Sequence, residues 1–551
     1  MPRLRFTSVA GAHHQDIETR NGESLMQAAV RCGVPGIVGE CGGELNCGTC
    51  HAYLMGVGAD RVPAPSVEES ELIAVLDEPR EQSRMLCQIP SDAAGDGMVL
   101  VVPEWLDSEP KEDTSPVDGS AERAPAVGDD EIKDGLVAYD VVIVGAGHGG
   151  VQLATALAKN SPPHRLALIS SEGVLPYDRP SLSKSYLLGE SDLEDIQLRS
   201  PAYWASSGVD LLLNDPVVEV RPEDHVVQTA SGRQYKYGSM VWATGGRARP
   251  LPDNVVQAPV MTLRGLADAD QLRDKLEGAR HATLVGGGYI GLEAAAVLRS
   301  KNVDVTLVEA ENRLLARVTG AVVSNFFESR HRQAGVDLRL GRTVTSLSPV
   351  PATANRTEVR LDDGSTIVTD LVIAGIGMVP NVEVLERAGA EVGNGVIVDE
   401  YCRTTLPDVY AIGDCAVHPN PFAQGAMIRL ECVQNAVDQA KVVEKALLGL
   451  VSVYDSVPWF WSNQHDIRLK TAGLSRDSEH SVVRGEPSSG AFSVTYFRDG
   501  RVVAIDAINA PGDYATIRKA LQDGLSVDPA VLSDLERPVK EAVSSRTRAL
   551  T

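Results

Sequence analysis

Apolar residues fall into distinct rhythms along this chain, and each change of rhythm marks a boundary. Near the start, Leu4-Arg-Phe-Thr-Ser-Val9 reads as a strand, and Met98-Val-Leu-Val-Val102 as a second, closing strand. Between them, Ser24-Leu-Met-Gln-Ala-Ala-Val-Arg31 carries a helical spacing, with Glu23 or Ser24 placed to cap it. These elements predict a small α+β unit over residues 1–104. From 104 to 135 the periodicity disappears. That stretch holds eleven acids, three bases and three prolines, and it predicts an acidic, flexible linker over 105–137.

After the linker a strand–glycine–helix pattern occurs twice. Asp140-Val-Val-Ile-Val runs into Gly145-Ala-Gly-His-Gly-Gly150 and a helical Val-Gln-Leu-Ala, and His281-Ala-Thr-Leu-Val runs into Gly286-Gly-Gly-Tyr-Ile-Gly291 and Leu-Glu-Ala-Ala. Each reads as the opening of a nucleotide-binding βαβ unit. Its glycines permit a tight turn and close approach of backbone to a pyrophosphate at a helix N-terminus. Each second strand ends on an acid placed to accept from a ribose hydroxyl: Leu166–Ser171 leads to Glu172, and Val305–Val308 leads to Glu309. A carboxylate at Glu309 favours NADH over NADPH, although Arg313 and Arg317 lie close enough in sequence to meet a 2′-phosphate. Two such units predict one flavin and one nicotinamide. Strand-like runs at Ala491–Phe497 and Val502–Ile505, ahead of a helical tail, predict a third, smaller domain.

Composition narrows the class. The 551 residues suit several domains, and 51 basic against 75 acidic residues give a formal charge of −24. That balance argues against a nucleic-acid binder and against docking on an anionic membrane. The longest apolar stretch, Val141–Ala158, contains His148 and four glycines and makes a poor membrane span. No charged-then-apolar leader opens the sequence, so a cytoplasmic protein is expected.

Five of the eight cysteines lie in the first 87 residues. Cys41, Cys47 and Cys50 share one glycine-rich loop and Cys87 follows at a distance. Four thiolates suit a 2Fe-2S cluster. A structural zinc is the rival, although zinc sites usually use two short Cys hooks. Cys32 lies outside this set, and Cys415 and Cys432 read as structural. The acids Glu68, Glu69, Glu71, Asp77 and Glu78 share a predicted helix, either as a solvated face or as a docking surface for a basic partner.

The motifs carry two resemblances. Residues 1–105, through Ile37-Val-Gly-Glu-Cys-Gly-Gly43, Cys50-His-Ala-Tyr53 and Leu86-Cys-Gln-Ile89, resemble the vertebrate-type ferredoxins, the adrenodoxin and putidaredoxin group. This implies a β-grasp domain with a 2Fe-2S cluster on Cys41, Cys47, Cys50 and Cys87. It also implies support of the cluster loop by His51 and a docking or packing role for Trp105. Residues 138–540 resemble the ferredoxin reductases of the putidaredoxin reductase type. The carriers are Tyr177-Asp-Arg-Pro-Ser-Leu-Ser-Lys184, Ala243-Thr-Gly-Gly246, Leu263-Arg264, Gly375–Asn381, Val409–Cys415, Arg429–Ala436 and Pro458–Gln464.

This second resemblance implies an α/β flavoprotein with two dinucleotide-binding domains and a small C-terminal α+β domain. The expected bounds are FAD domain 138–255 and 378–450, NAD domain 256–377 and C-terminal domain 451–551. It assigns Lys184 and Glu293 as a pair beside flavin and nicotinamide, with Asp414 on the ribityl chain. Further cofactor contacts fall to Gly145, Gly147, Gly149, Gly150, Ser171, Glu172, Arg179, Val218, Ala243, Arg264, Val433 and Trp461, and on the nicotinamide side to Gly286, Gly288, Gly291, Glu309, Arg317 and Gly377. Trp459 and Trp461 could be core aromatics, but the surrounding motif favours a place near the flavin.

The activity so implied is NADH:ferredoxin oxidoreduction. Hydride passes from NADH to FAD, and single electrons pass to the fused cluster and on to a haem-thiolate monooxygenase or a Rieske oxygenase. A flavin NADH oxidase with an accessory cluster and a cluster-based redox sensor remain as alternatives. A disulfide reductase is disfavoured because no thiol pair occurs in the first FAD segment.

Overall fold

The structure is a computed structural model that describes residues 2–39, 42–43, 45, 47–74, 76, 78–103, 136–160, 165–351 and 356–544. Cys41, Trp105, Asp77 and all but the last two residues of the predicted linker lie outside these. By its internal contacts the chain forms two units, Met1–Tyr177 with Gln197–Gly245 and Asn381–Ser456, and Asp178–Ile196 with Gly246–Pro380 and Val457–Thr551. The expected borders at 255, 377 and 450 thus fall some residues away. The segment Asp178–Ile196, expected with the first FAD segment, belongs to the second unit.

The first unit begins with a five-stranded mixed sheet in the order His14–Glu18, Arg3–Thr7, Val99–Val101, His51–Met55, Ser83–Met85. Its one parallel pair joins the first strand to the closing strand. The helix Leu25–Arg31 starts on a capping box: Ser24 accepts from the Gln27 N–H while the Gln27 side chain accepts from the Ser24 N–H. Its buried face, Leu25, Met26, Ala28 and Ala29, joins Phe6, Leu86 and Leu100 in a separate core. The acidic helix Val67–Ile73 is shorter than expected, ending before Glu78, and departs from the expected solvated or docking face at Glu69. Glu69 is 1% exposed and forms a two-pronged ion pair with Arg84, at 2.8 and 3.0 Å, while also accepting from the Met85 N–H.

The main element of the rest of this unit is a seven-stranded sheet. Val209–Leu212, Leu166–Ile169, Val137–Val144 and Gln234–Trp242 run parallel, Val409–Ala411 flanks the last, and Val226–Thr229 with Val217–Arg221 extends it as antiparallel strands. The strand Leu166–Ile169 and the second half of Val137–Val144 are buried, which is why they read as continuous apolar runs.

The second unit holds a four-stranded parallel sheet in the order Val336–Leu340, Asp304–Glu309, His281–Val285, Leu371–Ala374. It also holds a three-stranded antiparallel sheet over 344–369 and the predicted C-terminal domain. The latter is five antiparallel strands ordered Trp459–Gln464, Ile467–Gly473, Arg501–Ile508, Ala491–Arg498, His480–Glu486, with the helix Pro511–Gln522. Among the described residues no helix is long and apolar enough to cross a membrane.

Candidate functional site

The two glycine turns have the same geometry. Gly145 and Gly286 carry φ of 110° and 111°, a region that favours glycine, and an added Cβ would stand 2.3 Å from the Ala243 carbonyl oxygen and 2.4 Å from that of Gly375. At Gly150 and Gly291 a Cβ would meet the Gly145 and Gly286 carbonyls at 1.9 and 2.1 Å, so each helix packs on its own turn. At Gly147 and Gly288 a Cβ would meet nothing within 4 Å. That is the one position of each motif that opens outward, where a pyrophosphate approaches the helix N-terminus. Gly149 packs the first helix against Ala436. Both sites therefore have the cradle a dinucleotide needs.

In the first unit Glu172 stands at the end of its strand and accepts from the Tyr177 hydroxyl at 2.6 Å. Ser171 beside it is exposed, and Ala243 donates its N–H to Val144 at the mouth of the turn. Asp414 sits in the short 3-10 turn Gly413–Cys415. The Gly413 N–H donates to the buried Gln439 side chain at 2.7 Å, and the Asp414 carbonyl accepts from Arg429. Val433 is the first residue of the helix Val433–Leu447. Val218 is exposed in the strand Val217–Arg221, and its carbonyl accepts from Arg387; three residues earlier the Asp215 N–H donates to the Ser170 carbonyl. Cys415 is buried and Cys432 precedes the helix as its N-cap residue.

In the second unit Glu309 reaches back onto the glycine turn. Its carboxylate accepts the N–H groups of Gly287 and Glu311. Arg313, considered above as a phosphate ligand, is consumed by its own loop, donating to the Thr319 and Ala316 carbonyls and to Ser324. Arg317 is exposed. Gly377 has φ of 102° and faces open space.

Lys184 and Glu293 meet at 2.9 Å. Glu293 is 2% exposed, and its carboxylate also accepts from the hydroxyls of Ser183 at 2.6 Å and Ser462 at 2.7 Å. The sequence did not single out these two serines, although both lie inside quoted motifs. Arg179 donates to the Arg264 carbonyl, and Arg264 donates to the Gly246 carbonyl. Trp461 is buried beside Trp459, ring centroids 5.5 Å apart, and Arg518 lies over the Trp459 ring. Trp459 therefore serves as packing.

Among the described residues no three Cys, His, Asp or Glu side chains gather as a metal-ion site, and Cys41 lies outside them. What is described is a tightly curled loop. Gly39, Gly42, Gly43, Leu45 and Gly48 all have left-handed φ, including the buried Leu45 at 53°. Runs of such residues turn successive N–H groups inward as an anion-binding nest. A Cβ at Gly43 would stand 3.7 Å from Cβ of Cys87, and the Leu86 N–H donates to the Cys50 carbonyl, so the distant cysteine is brought to the loop. The His51 N–H donates to Gly48, and its ring bonds to Ser83 at 2.9 Å rather than to a thiol. Burial pushes that imidazole down to about 4. The loop shape and the thiol donors are of the kind a thiolate-held cluster uses, while Cys47, Cys50 and Cys87 do not themselves gather as a metal-ion site in this structure.

Two dinucleotide cradles in one chain, with a carboxylate turn on a late strand of the first, define a flavin- and nicotinamide-dependent oxidoreductase. The chain belongs to the pyridine nucleotide-disulphide oxidoreductase family, whose model matches residues 139–440, and a reductase C-terminal model matches 459–543. Within that family it is an NAD(P)H-dependent ferredoxin reductase. It is 47% identical over 410 residues to the 5,5'-dehydrodivanillate O-demethylase ferredoxin reductase subunit of Sphingobium sp., covering 74% of this chain and 99% of that protein. It is 38% identical to putidaredoxin reductase of Pseudomonas putida, covering 75% and 98%. Among solved structures, the covalent putidaredoxin reductase–putidaredoxin complex is matched at 37% identity and a TM-score of 0.70, covering 73% of this chain and 98% of that one. The ferredoxin reductase for the CYP199A2 system from Rhodopseudomonas palustris matches with the same identity and TM-score, covering 73% and 99%.

Proposed function

We propose that this chain fuses a ferredoxin to its own reductase. The N-terminal block holds a 2Fe-2S cluster on Cys41, Cys47, Cys50 and Cys87. The electrons enter from NADH and leave singly to a terminal oxygenase, of haem-thiolate or Rieske type. The observation that supports this reading is a block with its own core, in which a Cβ at the left-handed Gly43 would stand 3.7 Å from Cβ of Cys87 and the Leu86 N–H donates to the Cys50 carbonyl. Relatives named for an O-demethylase and for a p-cumate dioxygenase system favour an oxygenase as the acceptor.

FAD, when bound, supplies the conversion of one hydride into two single electrons. The chain's residues bind, orient and exclude water. Gly145, Gly147 and Gly150 admit the flavin's pyrophosphate, with Gly149 packing the helix behind them, and Glu172 holds its ribose beside Ser171, Val218 and Ala243. Asp414 and Val433 take the ribityl and ring side, and Arg179, Arg264 and Trp461 keep the flavin contacts that the resemblance gives them. Gly286, Gly288, Gly291 and Gly377 admit the nicotinamide dinucleotide, Glu309 holds its ribose, and Arg317 stands at the rim. The Lys184–Glu293 pair supplies a fixed ammonium and carboxylate at the reacting end. Hydride transfer depends on alignment more than on acid–base groups.

Cys47→Ser tests the fusion. NADH should still bleach the flavin, while one-electron output to cytochrome c collapses; unchanged cytochrome c reduction would show that the electrons bypass the block. Coenzyme choice is tested separately. With Arg313 committed to its loop and Glu309 on the turn, kcat/KM for NADH should exceed that for NADPH by about 100-fold or more, since an unpaired carboxylate–phosphate contact costs several kcal/mol. Equal values would reject the assignment of Glu309.

A further inference from the structure

The strand Trp459–Gln464 alternates its side chains, so Phe460, Ser462 and Gln464 share one face. That face packs on two helices of the same unit. Phe460 lies 4.4 Å from the Tyr289 ring, Ser462 reaches Glu293, and Gln464 reaches His331 on the helix Ala321–Gln333. Tyr289 and Glu293 are four apart and share a helix face. The result is a line of polar side chains inside an apolar core: Glu293, Ser462, Gln464 and His331 are 2%, 0%, 1% and 0% exposed.

The hydrogen bonds in this line have one consistent direction. Ser462 gives its proton to Oε1 of Glu293, a carboxylate that only accepts. Toward Gln464 it can then only accept, and Nε2 of Gln464 donates at 3.1 Å. This fixes the amide, leaving Oε1 of Gln464 to accept from Nε2 of His331 at 2.9 Å. His331 must therefore carry its proton on Nε2. Its Nδ1 has no partner among the described residues, as suits the bare nitrogen of a neutral ring. Burial agrees, pushing this imidazole down to about 4.

We propose that His331, Gln464 and Ser462 are positioning residues for the Lys184–Glu293 pair, forming a one-way chain of donors that sets the rotamer of the Glu293 carboxylate for the reaction with nicotinamide. The proposal rests on the reading of Lys184–Glu293 as the reacting-end pair. With Oε1 tied to Ser462, Oε2 is turned to Ser183 and Lys184. Removing a distant link lets the carboxylate rotate without removing it.

The test is anaerobic stopped-flow reduction of the FAD-loaded full chain over a range of NADH concentrations. Gln464→Glu is isosteric but has no donor for Ser462. It should lower the limiting rate about ten-fold, as small misplacements at a reacting centre do, with the half-saturating NADH concentration changed less than about two-fold. His331→Leu should lower the limiting rate in the same way, and His331→Gln, which keeps a donor near the Nε2 position, should restore it. Limiting rates for Gln464→Glu and His331→Leu within about two-fold of the parent would overturn the proposal. So would failure of His331→Gln to restore the rate, which marks a packing role. Glu293→Gln separates the two levels. If it leaves the rate unchanged, the underlying pair assignment falls; if it slows the reaction while Gln464→Glu does not, only the donor chain falls.

Discussion

One hydrogen atom decides what Gly288 and Gly291 tolerate. At Gly291 a methyl group would stand 2.1 Å from the Gly286 carbonyl oxygen, and backbone would have to move. Gly291→Ala should cost about 1–3 kcal/mol or more and lower Tm. At Gly288 the methyl group meets only open space, so Gly288→Ala should keep Tm and FAD while raising the KM for NADH about ten-fold, as a displaced pyrophosphate predicts. Thermal unfolding and NADH titration of the two variants check this; the reverse pattern would refute the cradle. These glycines were legible because spacing alone places them. Glu69 was not. In Glu68-Glu69-Ser70-Glu71 nothing in the residue types separates the buried acid from its half-buried neighbours Glu68 and Glu71. Its i+3 relation to the core residue Leu72 was the available signal, and its partner Arg84 lies on another element.

At the scale of elements, long apolar strands and glycine turns announced both nucleotide folds, as did the C-terminal strands. The chain crossing was hidden. Asp178–Ile196 sits in sequence inside the first nucleotide fold, yet Lys184 bonds to Glu293 and the Tyr186 hydroxyl to Asp270 at 2.6 Å, partners 109 and 84 residues away. Local periodicity carries no information about such partners. The C-terminal domain carries its own titration signature. Asp506 is buried, accepts from the hydroxyls of Thr319 and Tyr496, and is pushed up by burial to about 6 from 3.8. The fold thus binds this proton more tightly than the unfolded chain, and the resulting stability, full below the unfolded value of 3.8, is lost as pH rises through about 6. His331 works in the opposite sense: lowered from 6.5 to about 4, it contributes stability present above 6.5 and lost as pH falls through about 4. Asp506→Asn should therefore gain Tm relative to the parent between pH 4 and 7, as thermal unfolding at several pH values will show. A difference independent of pH would mean that Asp506 does not titrate in that window.

At the scale of the whole molecule, the chain spans nearly the full length of its reductase relatives and adds a block of its own ahead of them. The reductase part was the most legible in sequence, through its glycine turns and quoted motifs, and the family match over 139–440 agrees. The network around Glu293 was the least legible, because Ser183 and Ser462 lie 110 and 169 residues from the carboxylate they meet. The proposed fusion would join two redox groups in one chain and replace a collision with an internal step, at an effective concentration in the millimolar range for tethered modules. The decisive measurement follows cluster reduction by NADH in anaerobic stopped flow while the holoprotein concentration is varied ten-fold. A first-order rate constant that does not change with concentration is the predicted result. A rate constant rising in proportion to concentration, or a flavin that bleaches with no iron–sulfur reduction behind it, would contradict the account.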